Sequence, residues 1–208
     1  MPRLVECVPN FSEGRRREVV DQILDSIAAV PGVTLLDREM DPDHNRSVLT
    51  FAGEPEPVAE AAFRAIAKAS TLIDLNHHSG QHPRMGATDV VPFVPVEGVT
   101  LDDCAEQARR LGKRVGEELA IPVFLYEAAA TSAARTSLAD VRRGEFEGLR
   151  DAIGRDATRK PDFGPERIHA TAGATAIGAR RFLVAFNANL NTADVRVEIG
   201  RASCRERV

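Results

Sequence analysis

Aromatic residues and cysteines are scarce in this chain of 208 residues, which has no tryptophan, one tyrosine and three cysteines. The three cysteines, Cys7, Cys104 and Cys204, lie far apart in the sequence. Their spacing fits neither a disulfide framework nor the closely spaced ligand pairs of a zinc site. The cysteines therefore give no reason to expect an oxidising compartment or a structural metal.

The chain also lacks a surplus of basic residues and any long apolar segment. Its formal net charge of -4 argues against an electrostatic nucleic-acid binder, which would carry a basic excess. No run approaches the roughly 18 apolar residues that a membrane helix needs, and the first residues lack the apolar segment of a signal peptide. We therefore expect a cytoplasmic protein that binds neither nucleic acid nor membranes.

Predicted strands and helices alternate along the sequence, and the apolar content of 43% is enough for a hydrophobic core. Strands are expected at residues 4–8, 33–37, 47–51, 90–96, 121–126 and 181–187, and helices at residues 15–29, 55–70, 101–119 and 138–153, the last with breaks at Gly144 and Gly148. Two prolines in residues 90–96 indicate an edge strand or a bulged one. Thr100 is expected to cap the third helix. The alternation predicts an α/β (α+β) fold, a layered sandwich with helices packed on one face of a mixed β-sheet.

The most unusual segment, which we call the histidine loop, is residues 76–89, where three of the five histidines fall within six positions. Gly80 and Gly86 are expected to permit unusual backbone angles in this loop, and Pro83 stiffens the turn. Histidine has an unperturbed pKa that lets it both give and take a proton near neutrality. A loop that carries such groups between two apolar segments is the predicted functional site.

Two of these histidines, His77 and His78, raise the alternative of a metal site, together with the acidic segment that contains Asp41, Asp43 and His44. Their spacing fits neither an HExxH helix nor a Cys/His knuckle. We therefore expect solvated histidines or histidines that support a neighbouring group, and no metal.

Four segments carry a family resemblance: residues 5–14 (VECVPNFSEG), 81–87 (QHPRMGA), 161–165 (PDFGP) and 182–187 (FLVAFN). Through them the chain resembles the glutamate formiminotransferase family, the N-terminal part of formimidoyltransferase-cyclodeaminases. The resemblance implies transfer of the formimino group from N-formimino-L-glutamate to tetrahydrofolate, which gives 5-formiminotetrahydrofolate and glutamate during histidine breakdown. Tetrahydrofolate would be a co-substrate, and no metal is implied.

The resemblance also implies two similar α/β subdomains with the folate site between them. Residues 1–180 would form the N-terminal subdomain and residues 181–197 the start of a truncated second one, while residues 198–208, which lack periodicity, would be a non-native tail. An open edge on a strand at residues 182–186 would allow a homodimer. Two alternatives stay open: a non-catalytic folate- or partner-binding module, and a metal-assisted amidohydrolase that uses the histidines.

By the resemblance, His82 matches the family's catalytic histidine. One group with a near-neutral pKa can take a proton from the attacking amine and give one to the departing amine. The alternative is that His82 only bonds to loop backbone. Arg84 and Arg46 are candidates to bind the substrate's carboxylates through forked hydrogen bonds, with structural ion pairs as the alternative.

Three acidic residues, Glu39, Asp41 and Asp89, are candidates to stabilise the cationic formimino group or to orient His82. A solvated acidic turn is the alternative for Asp41 and Asp43.

The segment that matches the family's folate segment follows Pro161 and Asp162. Its residues are Phe163, Gly164, Pro165, Glu166, Arg167, Ile168, His169, Ala170, Thr171, Ala172 and Gly173. Glycines among small residues let backbone amides approach a flat pterin. Thr171 and Ala172 stand where some relatives carry Ser-Trp, so the shape of the pterin site differs there. The alternative is an ordinary linker to the second subdomain.

Overall fold

The computed structural model describes residues 2–183 of the chain. Within this range the strands are β1 (Leu4–Cys7), β2 (Asn10–Phe11), β3 (Val33–Asp41), β4 (Arg46–Gly53), β5 (Thr88–Glu97), β6 (Val123–Glu127) and β7 (Thr175–Ala179). The α-helices are α1 (Arg17–Ala28), α2 (Pro55–Leu72), α3 (Leu101–Glu118), α4 (Leu138–Val141) and α5 (Glu145–Ala152). The predicted tail at residues 198–208 and nearly all of the predicted second-subdomain segment lie outside the described residues.

One mixed sheet organises the described part of the chain, in the order β3, β4, β1 with β2, β5, β7, β6. β1 and β2 are consecutive in the chain and share one position in the sheet, between β4 and β5. Both are antiparallel to those two strands. β3 and β4 form an antiparallel hairpin, whereas β5, β7 and β6 are parallel. The predicted fold class, helices packed on a mixed sheet, is confirmed. None of the helices in residues 2–183 is both long and apolar enough to cross a membrane.

Side chains alternate between the two faces of the sheet, as the period of two in a strand requires. In β6, Val123 and Leu125 belong to the main core, which also contains residues of α1, α2 and α3. Phe124 and Tyr126 belong to a second cluster, which contains Val141 of α4. Helices therefore lie on both faces at the β7–β6 end, where the sequence predicted helices on one face only.

At the other end of the sheet, the face turned away from the main core is less covered. Along β4, buried Ser47, Leu49 and Phe51 alternate with half-exposed Arg46 and other residues of the opposite face. We call this opposite face of β3, β4 and β2 the open face. It is the surface on which the candidate site lies.

β5 is an internal strand, so the edge alternative for the proline-containing segment was wrong. It pairs with β1 and β2 on one side and with β7 on the other. The bulged alternative is confirmed, because the register shifts where Leu4 lies opposite Glu97 and Val5 lies opposite Pro95. Proline lacks an N–H, and a shifted register accommodates that missing donor within an internal strand.

The last described strand is β7, not the predicted strand at residues 181–187. Of that predicted strand, residues 181–183 are described and lie outside any strand, and the rest falls outside the described residues. β7 (TAIGA) consists of small residues except for Ile177, and it is buried throughout. A Cβ atom on Gly178 would lie 2.6 Å from the Tyr126 ring, so the small residue is required by the neighbouring strand.

Of the predicted helix cap and the two predicted helix breaks, one break was wrong. Thr100 caps α3, because its Oγ1 accepts a hydrogen bond from the Asp103 amide at 3.1 Å and the Asp103 carboxylate accepts one from the Thr100 amide at 2.9 Å. Gly144 separates α4 from α5 with a left-handed backbone (φ 83°). Gly148, however, lies inside α5, so the second predicted break was wrong.

Candidate active site

Side chains from two other parts of the chain hold the histidine loop. The Gly14 amide donates to Asn45 Oδ1 at 3.0 Å, and Asn45 Nδ2 donates to the Ser79 carbonyl at 3.0 Å. Ser12 Oγ donates to the Gly86 carbonyl at 2.7 Å. The N-terminal segment and the β3–β4 turn therefore fix both halves of the loop.

The two loop glycines serve a different purpose from the predicted one. A Cβ atom on Gly80 would lie 2.2 Å from the His44 carbonyl oxygen, and one on Gly86 would lie 1.8 Å from the Ala174 carbonyl oxygen. Neither glycine has a positive φ, so the prediction of unusual backbone angles was wrong. Glycine is needed at both positions because neighbouring backbone approaches too closely for a side chain.

His82 faces Arg46 from the histidine loop. The distance from His82 Nε2 to Arg46 Nη1 is 2.8 Å. A guanidinium can only donate, so Nε2 accepts and the proton of the neutral ring is placed on Nδ1. Burial, together with the charges of Arg46 and Arg142, lowers the pKa of His82 from 6.5 to about 4. The imidazole is therefore neutral at neutral pH and retains its capacity to accept a proton.

The register of the antiparallel strands gathers polar residues beside His82. Glu39 lies opposite Val48 in the β3–β4 pair, and Val48 lies opposite Asn10 in the β2–β4 pair. Directly opposed residues share a face, and so do residues two apart in one strand, which places Arg46 on the same face. Arg46 Nη1 donates to Asn10 Oδ1 at 3.2 Å. Two predicted substrate-binding residues, Glu39 and Arg46, thus lie on the open face with Asn10.

The Asp41 side chain makes its hydrogen bonds within the β3–β4 turn. Its carboxylate accepts hydrogen bonds from the backbone amides of Asp43 and His44 at 2.9 Å and lies 2.6 Å from His44 Nδ1. These contacts, first of all the His44 amide, lower the pKa of Asp41. The His44 ring lies 6.4 Å from the His82 ring, centroid to centroid. The turn therefore places the imidazole of His44, held by the Asp41 carboxylate, at the margin of the site.

Arg84 is engaged by ion pairs with α5 rather than presented to the open face. Its Nη2 lies 2.7 Å from Glu147 and its Nη1 lies 3.1 Å from Glu145, while its Nε donates to His78 Nδ1 at 3.1 Å. Glu147 raises the pKa of Arg84, and the side chain is only 11% exposed. These contacts favour the structural alternative that the sequence left open for this arginine.

Asp89, at the start of β5, is buried and orients an arginine rather than His82. Its Oδ1 accepts a hydrogen bond from the Met85 amide at 2.9 Å, and its Oδ2 pairs with Arg142 Nη2. Burial raises the pKa of Asp89, while the adjacent Arg142 and the Met85 amide favour the ionised form. The carboxylate therefore holds Arg142 in a fixed position next to the histidine loop.

The predicted folate segment divides into a packed part and a turn. Phe163 and Gly164 pack against α3, since a Cβ atom on Gly116 would lie 2.5 Å from the Gly164 nitrogen. The exposed residues of the segment are Gly164, Glu166, Arg167 and Ala170. The first two residues thus contribute to packing. Glu166 pairs with Lys160 at 2.8 Å, and Arg167 and Ala170 are available to a ligand.

The rest of the folate segment forms a tight turn against both ends of the histidine loop. His169 and Gly173 exchange backbone hydrogen bonds of 3.0 and 3.2 Å. The Leu75 amide donates to the Thr171 carbonyl at 2.9 Å, and the Ala87 amide donates to the Ala172 carbonyl at 2.9 Å. This turn and the histidine loop therefore form one continuous surface.

The remaining histidines of the loop are engaged locally. The His77 side chain is 85% exposed, and its Nδ1 lies 3.1 Å from Asp74. His78 Nε2 donates to the Asn45 carbonyl at 3.0 Å, which leaves its Nδ1 to accept from Arg84. Within residues 2–183, no group of three or more His, Cys, Asp and Glu side chains is arranged to hold a metal ion.

Two residues of the site were not singled out from the sequence. Asn10 was noted only as part of the N-terminal segment that carries the resemblance, and a search for polar residues at strand ends would have found it. Arg142 follows a four-residue helix whose place in the fold no local pattern reveals.

Comparison with known proteins identifies the family. The family model described as "Formiminotransferase domain, N-terminal subdomain" matches residues 4–180. The glutamate formimidoyltransferase of Streptococcus pyogenes serotype M1 is 48% identical over 197 residues, which are 95% of this chain and 66% of the relative. The glutamate formimidoyltransferase of Thermoplasma acidophilum is 52% identical over 200 residues, 95% of this chain and 65% of the relative.

A longer relative shows the same match. The formimidoyltransferase-cyclodeaminase of Sus scrofa is 52% identical over 190 residues, which are 91% of this chain and 35% of the relative. The chain thus spans just under two thirds of the length of the first two relatives and about a third of this one. The chain belongs to the formiminotransferase family, whose N-terminal subdomain is matched by residues 4–180.

Proposed function

We propose that this chain provides the histidine-bearing part of a site that transfers the formimino group from N-formimino-L-glutamate to tetrahydrofolate. The products are 5-formiminotetrahydrofolate and glutamate. The observation that carries the proposal is the neutral imidazole of His82, held beside Arg46 on the open face. Two relatives are glutamate formimidoyltransferases, which supports formimino transfer, and the sequence resemblance implies tetrahydrofolate as the co-substrate. The activity is proposed for this chain together with the part of those relatives that it does not match.

The reaction needs one group that moves a proton between two nitrogens on the same carbon. The formimino group is amidine-like and cationic at neutral pH, so its carbon is electrophilic. Addition of the folate amine gives a tetrahedral centre that bears both nitrogens. The neutral ring of His82 accepts the proton of the attacking nitrogen, and the resulting imidazolium donates it to the glutamate nitrogen, whose bond to carbon then breaks.

Arg46 regulates access to the lone pair of His82. Arg46 Nη1 donates to Nε2 and occupies its acceptor position. A substrate carboxylate is a better partner for a guanidinium than an imidazole nitrogen is, because the hydrogen bonds are charge-assisted and forked. Binding of that carboxylate would turn Arg46 away and free Nε2 at the moment when the base is needed.

The acidic residues complement the cationic part of the substrate. Glu39 is exposed on the same face as Arg46, so it can face the formimino cation while Arg46 takes a carboxylate. Arg84 acts indirectly, since its ion pairs with Glu145 and Glu147 hold the histidine loop against α5. Tetrahydrofolate, as co-substrate, would lie against the turn at residues 169–173 beside that loop.

The assay that tests the proposal measures glutamate release with and without folate. A chimera joins this chain to the part of the Streptococcus pyogenes relative that it does not match, and the unextended chain is assayed beside it at equal concentration. We expect release that requires both formiminoglutamate and tetrahydrofolate in the chimera, and little release from the unextended chain.

Two other outcomes would contradict the proposal. Release without folate would indicate an amidohydrolase, and elemental analysis would then show whether it depends on a metal. No release from a folded chimera that binds both ligands would indicate a binding module. A homodimer and a cytoplasmic location stay predictions, and sedimentation of the chimera tests the first of them.

A further inference from the structure

We infer that Arg142 binds a carboxylate of the amino-acid substrate and that Asp89 is the residue that positions it. This inference rests on the proposed function and deepens it, since it assigns a substrate-recognition residue that the sequence did not suggest. The carboxylate belongs to a glutamate-like dicarboxylate, whose second carboxylate is taken by Arg46.

The first observation is an unused donor on a buried guanidinium. The side chain of Arg142 is 15% exposed, and Asp89 pairs with its Nη2. Its Nε is buried and has no hydrogen-bond partner among the described residues. A buried N–H without a partner is rare in folded proteins and costs free energy, so it requires an explanation. A ligand oxygen that reaches the exposed part of the guanidinium would satisfy it after a small rotation of the side chain.

The second observation is the rigid mounting of this side chain. Arg142 directly follows α4, and the Glu145 amide donates to the Arg142 carbonyl at 2.8 Å. The adjoining residue, Phe146, donates its amide to the Arg84 carbonyl at 2.9 Å. The turn between α4 and α5 is therefore fastened to the histidine loop, and Asp89 fastens the guanidinium itself. A binding group held in this way loses little conformational freedom when a ligand arrives.

The third observation is the balance of charge around His82. Arg46 and Arg142 both lower the pKa of His82, which places two guanidinium charges near one imidazole. Asp89 is the buried carboxylate that faces them, and its pKa responds to both arginines. Asp41 is engaged by His44 at the margin of the site. The other carboxylate on this face, Glu39, is exposed, so Asp89 is the buried carboxylate set against the two guanidiniums. Two guanidiniums beside one neutral imidazole suit an anionic ligand.

A second ion pair in the same protein shows what a structural pair looks like. Arg135 and Asp162 are buried to nearly the same extent, with side-chain exposures of 15% and 7%, against 15% and 3% for Arg142 and Asp89. Both terminal nitrogens of Arg135 are used, one by Asp162 and the other by the Lys160 carbonyl. Arg135 is therefore the matched control for Arg142.

The experiment compares Arg142→Gln with Arg135→Gln in the chimera and in the unextended chain. In the chimera, Arg142→Gln should raise the KM for formiminoglutamate at least about tenfold, which corresponds to one lost charge-assisted contact. The KM for tetrahydrofolate should change less than about twofold. Arg135→Gln should leave both constants unchanged when the protein is folded.

Two readouts do not depend on transfer activity. The ring resonances of His82 are followed by NMR during titration with L-glutamate and with L-glutamine, which lacks one carboxylate. Glutamate binding should be lost in Arg142→Gln and kept in Arg135→Gln, and the pKa of His82 should rise only in Arg142→Gln. If the protein transfers no formimino group but glutamate binding depends on Arg142, the inference stands and the proposed function fails.

The inference is overturned if folded Arg142→Gln binds glutamate as tightly as the original chain, or if the KM values for both substrates rise together. Removal of Arg142 leaves Asp89 buried without its partner, which can unfold the chain. The double variant Asp89→Asn/Arg142→Gln removes both charges and serves as the folded alternative. It should show the same selective loss of glutamate binding.

Discussion

Acid should inactivate this site only at an unusually low pH for a histidine-dependent enzyme. The kcat/KM of the chimera for formiminoglutamate reports the ionisation of groups in the free enzyme. Burial and the charges of Arg46 and Arg142 lower the pKa of His82 to about 4, so the neutral, proton-accepting ring persists far below pH 6.5. The expected acid limb of the profile therefore lies near pH 4.

The size of the effect is largest near pH 5. A histidine with the ordinary pKa of about 6.5 is only about 3% neutral at that pH, whereas one with a pKa near 4 is about 90% neutral. The two cases differ about 30-fold in the active form, which exceeds the error of a rate measurement. Arg46→Gln removes one cause of the shift, so it should move the acid limb toward higher pH.

The same shift makes a prediction for stability. The unfolded chain takes up a proton on His82 near pH 6.5, whereas the folded chain resists it until about pH 4. The folded state therefore becomes less stable relative to the unfolded state as the pH falls through this window. His82→Gln should reduce that loss in urea titrations at pH 4.5 and 7. An acid limb near pH 6.5, with no difference between the variants in urea, would refute the electrostatic description of His82.

Two further predictions concern the histidine loop. Arg84→Lys keeps the charge but loses the planar guanidinium that pairs with both Glu145 and Glu147. It should lower the melting temperature and raise the KM values for both substrates alike. A selective rise in the KM for formiminoglutamate would instead show direct binding by Arg84. Gly86→Ala places a Cβ atom 1.8 Å from a carbonyl oxygen and should cost about 1–3 kcal/mol of stability in urea unfolding. Its control, Gly148→Ala, meets no atom within 4 Å inside α5 and should be neutral or stabilising, whereas equal effects of the two substitutions would contradict the close-approach argument.

The long periodic helices were predictable because their burial pattern is local. The helix expected at residues 55–70 is α2 (Pro55–Leu72), and the one expected at residues 101–119 is α3 (Leu101–Glu118). In both, buried residues recur at helical spacing along one face. The cap at Thr100 was also predictable, since its partner lies three residues away.

The internal strands were harder to place because sheet position is not a local property. The prolines of β5 would suit an edge, and only the pairing with β1 on one side and β7 on the other makes the strand internal. Glycine is required at position 178 of β7 because the Tyr126 ring of β6 leaves no room for a side chain there. Neither fact can be read from the strand's own sequence.

The candidate site shows the same limit. The resemblance predicted His82 as a site residue, and the histidines predicted the loop as the site; both stay predictions. The grouping of Glu39, Asn10 and Arg46 depends on strand register, which the sequence does not specify by itself. The ion pairs between Arg84 and α5 depend on the position of the α4–α5 turn in the fold, which the sequence does not specify either.

The measurement that tests the central claim most directly compares turnover of the chimera carrying His82→Gln with turnover of the chimera carrying His77→Gln. Both histidines lie in the same loop, but His77 is 85% exposed and bonds only to Asp74 in the described part of the chain. We predict that His82→Gln lowers the rate of folate-dependent glutamate release at least about 100-fold, the lower end for general acid–base catalysis. His77→Gln should stay within about twofold of the original rate, with the same melting temperature for all three proteins. Near-normal turnover in folded His82→Gln would contradict the claim that this imidazole carries the proton.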